Sequence, residues 1–126
     1  MHIYTKKFLF LGAILMALGV CFGAFGAHGL KSIVTPEMLT VFHTGVEYQF
    51  YHALGLFAVA FIVHLYEDKK LINIAGNLMF LGVMIFSFSL YLLVILDIRW
   101  LGAITPIGGT LMIISWSVLA YSIIKK

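Results

Sequence analysis

Charge is scarce in this chain. Asp, Glu, Lys and Arg make up 10% of its 126 residues against 63% hydrophobic, and a water-soluble domain needs far more polar surface to cover its core. Proline occurs only at Pro36 and Pro106, so the long apolar stretches are not broken from within. Cysteine occurs once, as Cys21 inside the first apolar stretch; no intrachain disulfide can form, and a buried, inert thiol is expected. No P-loop, dinucleotide fingerprint, CxxC or G-x-S-x-G is present, and the H-E-x-x-H pattern of zinc hydrolases is missing too. These absences argue against an enzyme, and neither a cofactor nor a metal is expected.

What the chain does have is apolar length. Four stretches, roughly 8–27, 46–65, 71–96 and 101–124, each reach the ~20 residues that a helix rising about 1.5 Å per residue needs to cross ~30 Å of hydrocarbon. They are too long and too unalternating for barrel strands. The expected fold is all-α: a polytopic membrane protein forming one antiparallel four-transmembrane-helix bundle over residues 1–126.

The net charge of +3 sits in lysine pairs at segment ends, Lys6-Lys7, Lys69-Lys70 and Lys125-Lys126. That is a topology signal and not a nucleic-acid footprint. With four spans, both termini and the middle loop share a side and carry those lysines, while the other two loops carry only Lys31 and Arg99. The positive-inside rule then puts both termini in the cytoplasm. Tyr4, Tyr66 and Tyr121 near that boundary and Trp100 near the other agree. A cleavable signal peptide ending near Ala24-Phe25-Gly26 is the competing interpretation of the first stretch. Its span length, and the lysine asymmetry that its removal would scatter, weigh against it. Leu18-Gly19-Val20-Cys21 is a poor lipoprotein box, because valine precedes the cysteine and apolar sequence follows it.

Gly12, Gly19, Gly23, Gly26 and Gly29 mark the first helix. Gly19 and Gly23 make a small-xxx-small step for close helix packing, within the monomer or at a homo-oligomer seam, and the helix should end around Gly26 to Gly29. Thr35-Pro36-Glu37 is a helix-start signature. A helix from Pro36 to Leu65 would be about 45 Å long, so residues 36–45 should lie in the interface unless the helix tilts. On it, Phe42, Val46, Phe50, Phe57 and Phe61 share an arc expected to meet lipid or another apolar helix. His43, Glu47 and Tyr51 share the next arc and Tyr48 and His52 another, both expected to face protein. Asn73 and Asn77 are expected to bond between helices or to sit at the interface. Pro106 with Gly108 and Gly109 either makes an irregular helix start beside protein or a water-filled cavity or packs closely against the glycine face of the first span.

Alternating spans bring most of the unusual residues to the outer rim: His28, His43 to His52, Ser87 to Tyr91, and Thr105 to Gly109. Three interpretations compete for this cluster. A metal site could use His43 and Glu47 with His28 or His52, since two imidazoles and a carboxylate suit zinc or iron. A proton relay could use Glu47, His43 and His52 as titrating groups. A hydrogen-bonded network that fixes helix register needs no ligand at all.

Four islands in order, Gly23-Ala24-Phe25-Gly26-Ala27-His28-Gly29-Leu30, Tyr48-Gln49-Phe50-Tyr51-His52-Ala53-Leu54, Phe86-Ser87-Phe88-Ser89-Leu90-Tyr91 and Thr105-Pro106-Ile107-Gly108-Gly109 followed by Trp116, resemble domain-of-unknown-function family 423. That family includes bacterial inner-membrane proteins of the YgdD type and an animal transmembrane relative. The resemblance implies a four-helix protein of the bacterial plasma membrane without an established activity, and it supplies no catalytic residues. His28, Tyr48, Gln49 and His52 match the family's pattern. Glu47 and His43 do not, which weakens any mechanism that needs them.

The leading expectation is a non-catalytic membrane protein whose outer-side polar pocket, lined by His28, Tyr48, Gln49, His52, Ser89 and Thr105, binds a lipid headgroup, a small ligand or a protein partner. The rival is a proton-coupled small-molecule transporter or channel. Expected partners are membrane lipid, a small ligand and a second copy, with no nucleic acid.

Overall fold

The computed structural model describes residues 1–125. Four helices run through it, each long and apolar enough to cross a membrane: α1 (Ile3–His28), α2 (Pro36–Leu65), α3 (Lys70–Leu96) and α4 (Thr105–Ile124). Short 3-10 turns at Leu30–Ser32 and Arg99–Ala103 close the two connections at one end. The Thr35 side chain accepts from the Met38 N–H, with Pro36 in the first turn, so α2 starts where its capping sequence places it. α3 stops at Asp97, which takes the left-handed conformation at φ 53°, a geometry that Asp tolerates better than most side chains.

Half of the span window is buried in α2 and in α3, against 22% in α1 and 28% in α4. The middle helices are therefore central and α1 and α4 flank them. Neighbours along the chain pack antiparallel, and glycine sets how closely they do so. Phe42, Val46, Phe50 and Phe57 of α2 fill the spaces over Gly26, Gly23, Gly19 and Gly12 of α1. A Cβ on Gly19 would lie 2.9 Å from the Phe50 ring and one on Gly26 3.0 Å from Phe42. The fifth member of that arc, Phe61, is 65% exposed. The α1 glycine face thus works inside the monomer, where dispersion between close surfaces supplies cohesion that lipid does not.

The same device recurs at the other seams. Gly45 of α2 receives Tyr91 of α3, and Gly55 receives Met79 and Trp116. Gly82 of α3 and Gly108 of α4 bring their backbones together, since a Cβ on Gly82 would sit 2.9 Å from the Met112 nitrogen. The expectation that Gly108 and Gly109 meet α1 is corrected: they face α3 at Gly82 and Phe86, because α4 flanks the bundle opposite α1. Cys21 is corrected as well, being exposed on the outward side of α1.

At the lysine-bearing end, Lys7 donates to Asn73 (2.6 Å) and Asn77 (2.9 Å), tying α1 to α3. Lys69 folds back onto the Val63 and Tyr66 carbonyls and closes the C-terminus of α2. Lys125 pairs with Asp68 at 3.2 Å. Lys7, Lys69 and Lys125 therefore pin this end together.

Two outcomes follow. Gly108→Ala should push α4 off α3 and lower stability in detergent by about 1–3 kcal/mol. Gly109→Ala, whose Cβ would stand 3.8 Å from Phe86, should be close to neutral; denaturant titration followed by circular dichroism compares them. The Lys70 N–H and the Lys125 ammonium hold the Asp68 carboxyl below its ordinary 3.8. Its contribution is therefore present above that value and lost as pH falls through the lower folded one. A small stability difference between the parent and Asp68→Asn at neutral pH should vanish in acid.

Candidate functional site

Gln49 is fully buried near the middle of α2. Its amide nitrogen donates to the Leu15 carbonyl of α1 at 2.8 Å, and its amide oxygen accepts from the Tyr91 hydroxyl of α3 at 2.6 Å. One side chain thus joins three helices. Around it lie Phe22, Phe42 and Phe88, whose rings stand 4.5, 4.9 and 5.2 Å from that of Tyr91. A turn away, Ser87 donates to the Gly45 carbonyl at 2.7 Å, and at the α3–α4 seam Ser115 donates to the Ala75 carbonyl at the same distance. Gln49, Ser87, Tyr91 and Ser115 thus each find a partner in a neighbouring helix, as a low-dielectric interior favours.

His52 lies on the other side of α2. Its Nε2 accepts from the Trp116 indole N–H of α4 at 3.1 Å, and its Nδ1 faces the Tyr48 carbonyl at 2.8 Å. An indole nitrogen can only donate, so Nε2 carries the lone pair and Nδ1 the proton. The imidazole is neutral with both nitrogens engaged. Tyr48 stacks on it at 6.1 Å and packs on Phe86 at 4.6 Å. Together with Gly109, Met112, Ile113 and Trp116 these residues line a cleft of about 350 Å³ on the flank between α2 and α4.

Ser89 and Thr105 meet at 2.6 Å where α3 and α4 approach their connecting turn. Ser89 also reaches the Phe86 carbonyl and Thr105 the Leu101 carbonyl. Two hydroxyl protons serve three acceptor positions, so the pair is a local lock on that turn.

The expected pocket residues are therefore divided. Tyr48 and His52 line the cleft, Gln49 lies in the three-helix junction, Ser89 and Thr105 form their own pair, and His28 is exposed at the end of α1. His43 is half-buried against Gly26. Glu47 is exposed and Tyr51 is 57% exposed, which corrects the expectation that their arc faces protein. Among the described residues no three His, Cys, Asp or Glu side chains converge as metal ligands would. Trp116, Phe86 and Tyr91 complete the networks; Tyr91 belongs to the outer-rim cluster, but none of the three is among the expected pocket residues. A tryptophan within a span is the signal that points to one of them, because its indole N–H in hydrocarbon must find an acceptor at its own depth.

The junction makes its own prediction. Gln49→Leu should cost about 1–3 kcal/mol by leaving the buried Tyr91 hydroxyl unpaired, and Tyr91→Phe should cost a similar amount. The double variant should cost clearly less than the sum, which a double-mutant cycle of detergent unfolding measures.

Comparison with known proteins agrees with this architecture. The family model described as Protein of unknown function (DUF423) matches residues 22–109. The chain is 49% identical to the UPF0382 membrane protein YwdK of Bacillus subtilis over 120 residues, 95% of this chain and 98% of that protein. It is 46% identical to the UPF0382 membrane protein SH2409 of Staphylococcus haemolyticus and 42% identical to SERP0230 of Staphylococcus epidermidis, in each case over 95% of this chain and 97% of the relative. No solved structure matches. Four spans, their polar islands and these near full-length relatives place the chain in the DUF423 family of membrane proteins.

Proposed function

We propose that the protein is a non-catalytic component of the bacterial plasma membrane, both termini cytoplasmic, whose α2–α4 cleft receives the apolar part of an outer-leaflet lipid or of a small lipophilic ligand. The cleft itself carries this proposal. It opens on the lipid-facing flank, and its walls are the aromatic faces of Tyr48, Phe86 and Trp116. Concave apolar sites with few polar groups are where such ligands bind.

The polar groups support binding over proton transport. A relay needs a group free to take and pass a proton, whereas protonating Nε2 of His52 would break its bond from Trp116. Glu47, the acid that a relay would use, is exposed and makes no hydrogen bond with the described residues. His52 is better explained as the fixed floor of the cleft, holding Trp116 across from Tyr48.

Trp116 reports occupancy directly. In a Trp100→Phe background it is the sole tryptophan, and phospholipids brominated along the chain should quench its fluorescence. Gly109→Leu, which fills the cleft without touching the indole's hydrogen bond, should weaken that quenching markedly. Equal quenching with the cleft filled would reject the proposal. Proteoliposome flux driven by a pH gradient tests the rival activity, and none is expected.

A further inference from the structure

We infer that the α1–α2 seam at the lysine-bearing end is a second and separate binding site, for an anionic phospholipid of the leaflet on that side. A cavity of about 210 Å³ lies there between Thr5 and Leu9 of α1 and Phe57, Ala60, Phe61 and His64 of α2, with the exposed Met1 side chain at its mouth. It faces away from α3, whereas the α2–α4 cleft opens on the opposite flank.

Thr5 is 4% exposed, yet its hydroxyl is the one buried side-chain polar atom among the described residues without a hydrogen-bond partner. Everywhere else in the bundle such groups are paired. A hydroxyl that the fold leaves unpaired beside a cavity points to an acceptor supplied from outside the chain. The cavity is graded along the membrane normal: Thr5 and His64 lie towards the charged end, and Leu9 and Phe57 lie roughly 6 to 10 Å deeper at the helical rise. That order matches a phospholipid, with an ester carbonyl at the depth of Thr5 and an acyl chain running down past Leu9 and Phe57.

Charge selects the headgroup. Lys7, Lys69 and Lys125 are occupied by Asn73 and Asn77, by the end of α2, and by Asp68. Lys6 is exposed and makes no ion pair with the described residues. It follows Thr5 directly and projects from the adjoining stripe of α1, placed to meet a lipid phosphate. Basic positions beside a seam between spans are suited to anionic headgroups.

Native mass spectrometry of the full chain in detergent, titrated with phosphatidylglycerol or with phosphatidylcholine of the same chains, tests the site. The parent protein should retain phosphatidylglycerol several-fold better. Lys6→Gln, at an exposed position that the fold does not need, should abolish the preference while leaving chain binding. Thr5→Val should lower the retention of both lipids, Thr5→Ser should restore it, and Ala60→Phe should remove the lipid held at this seam, leaving only what the α2–α4 cleft retains. Gly109→Leu acts on the other cleft and should leave the preference for phosphatidylglycerol intact, so that preference is independent of the α2–α4 cleft. Equal retention of the two lipids by the parent, or unaltered retention in Ala60→Phe or in Thr5→Val, overturns the inference. Loss in Gly109→Leu without loss in Ala60→Phe assigns the lipid to the other cleft and overturns it equally.

Discussion

Close approach of helix backbones at glycine is the constraint on which the rest of this structure depends. Hydrocarbon offers no hydrophobic drive between helices, so cohesion comes from surfaces near enough for dispersion and for hydrogen bonds to reach across. Gly19 beneath Phe50, Gly45 beneath Tyr91 and Gly82 against Gly108 supply that nearness at the three successive seams. Only at such separations can Gln49 reach the Leu15 carbonyl, or Ser87 the carbonyl of Gly45 itself. Glycine lowers helix propensity in water. In a span it is tolerated because every backbone hydrogen bond must be kept inside the helix.

The polar residues divide their work accordingly. Those in the centre, Gln49, Ser87, Tyr91 and Ser115, point at carbonyls or at each other and fix register, which in lipid is the alternative to an unsatisfied group. His52 and Trp116 do the same across a wider gap, between helices that are not consecutive, and the space left beside their bond is the aromatic cleft. Thr5 is the exception, a buried hydroxyl that the bundle does not pair. The two cavities thus differ in kind. One lies beside a completed network and the other beside an incomplete one.

Much of the fold was legible in the residues. The α2 start at Thr35-Pro36 follows from local capping and proline chemistry, Pro106 stands in the first turn of α4, and α1 ends at His28, inside the stretch from Gly26 to Gly29. The antiparallel threading follows from the length of the apolar runs. Ser87 and Ser89, two residues apart on a helix, cannot share a face, and the structure gives them different partners, Gly45 and Thr105. Periodicity failed at Glu47 and Tyr51. It groups side chains on one helix by arc, but which arc a neighbour covers depends on where that neighbour packs. The grouping of His28, Gln49, His52, Ser89 and Thr105 failed for a related reason. A shared depth in the membrane is not a shared direction around the helix axis.

The sequence by itself determined that the chain crosses a membrane four times, that its lysines gather at one end, and that glycine marks the faces that pack. These are properties of composition and spacing along single helices, set by the length of the hydrocarbon layer and by backbone sterics. Only the tertiary structure decided that α4 packs on α3 and not on α1, that His52 is neutral and bonded to Trp116, and that Thr5 is buried without a partner. Each depends on how one helix is rotated against another. In lipid that rotation is chosen by the summed contacts of whole interfaces, which no local stretch of residues encodes.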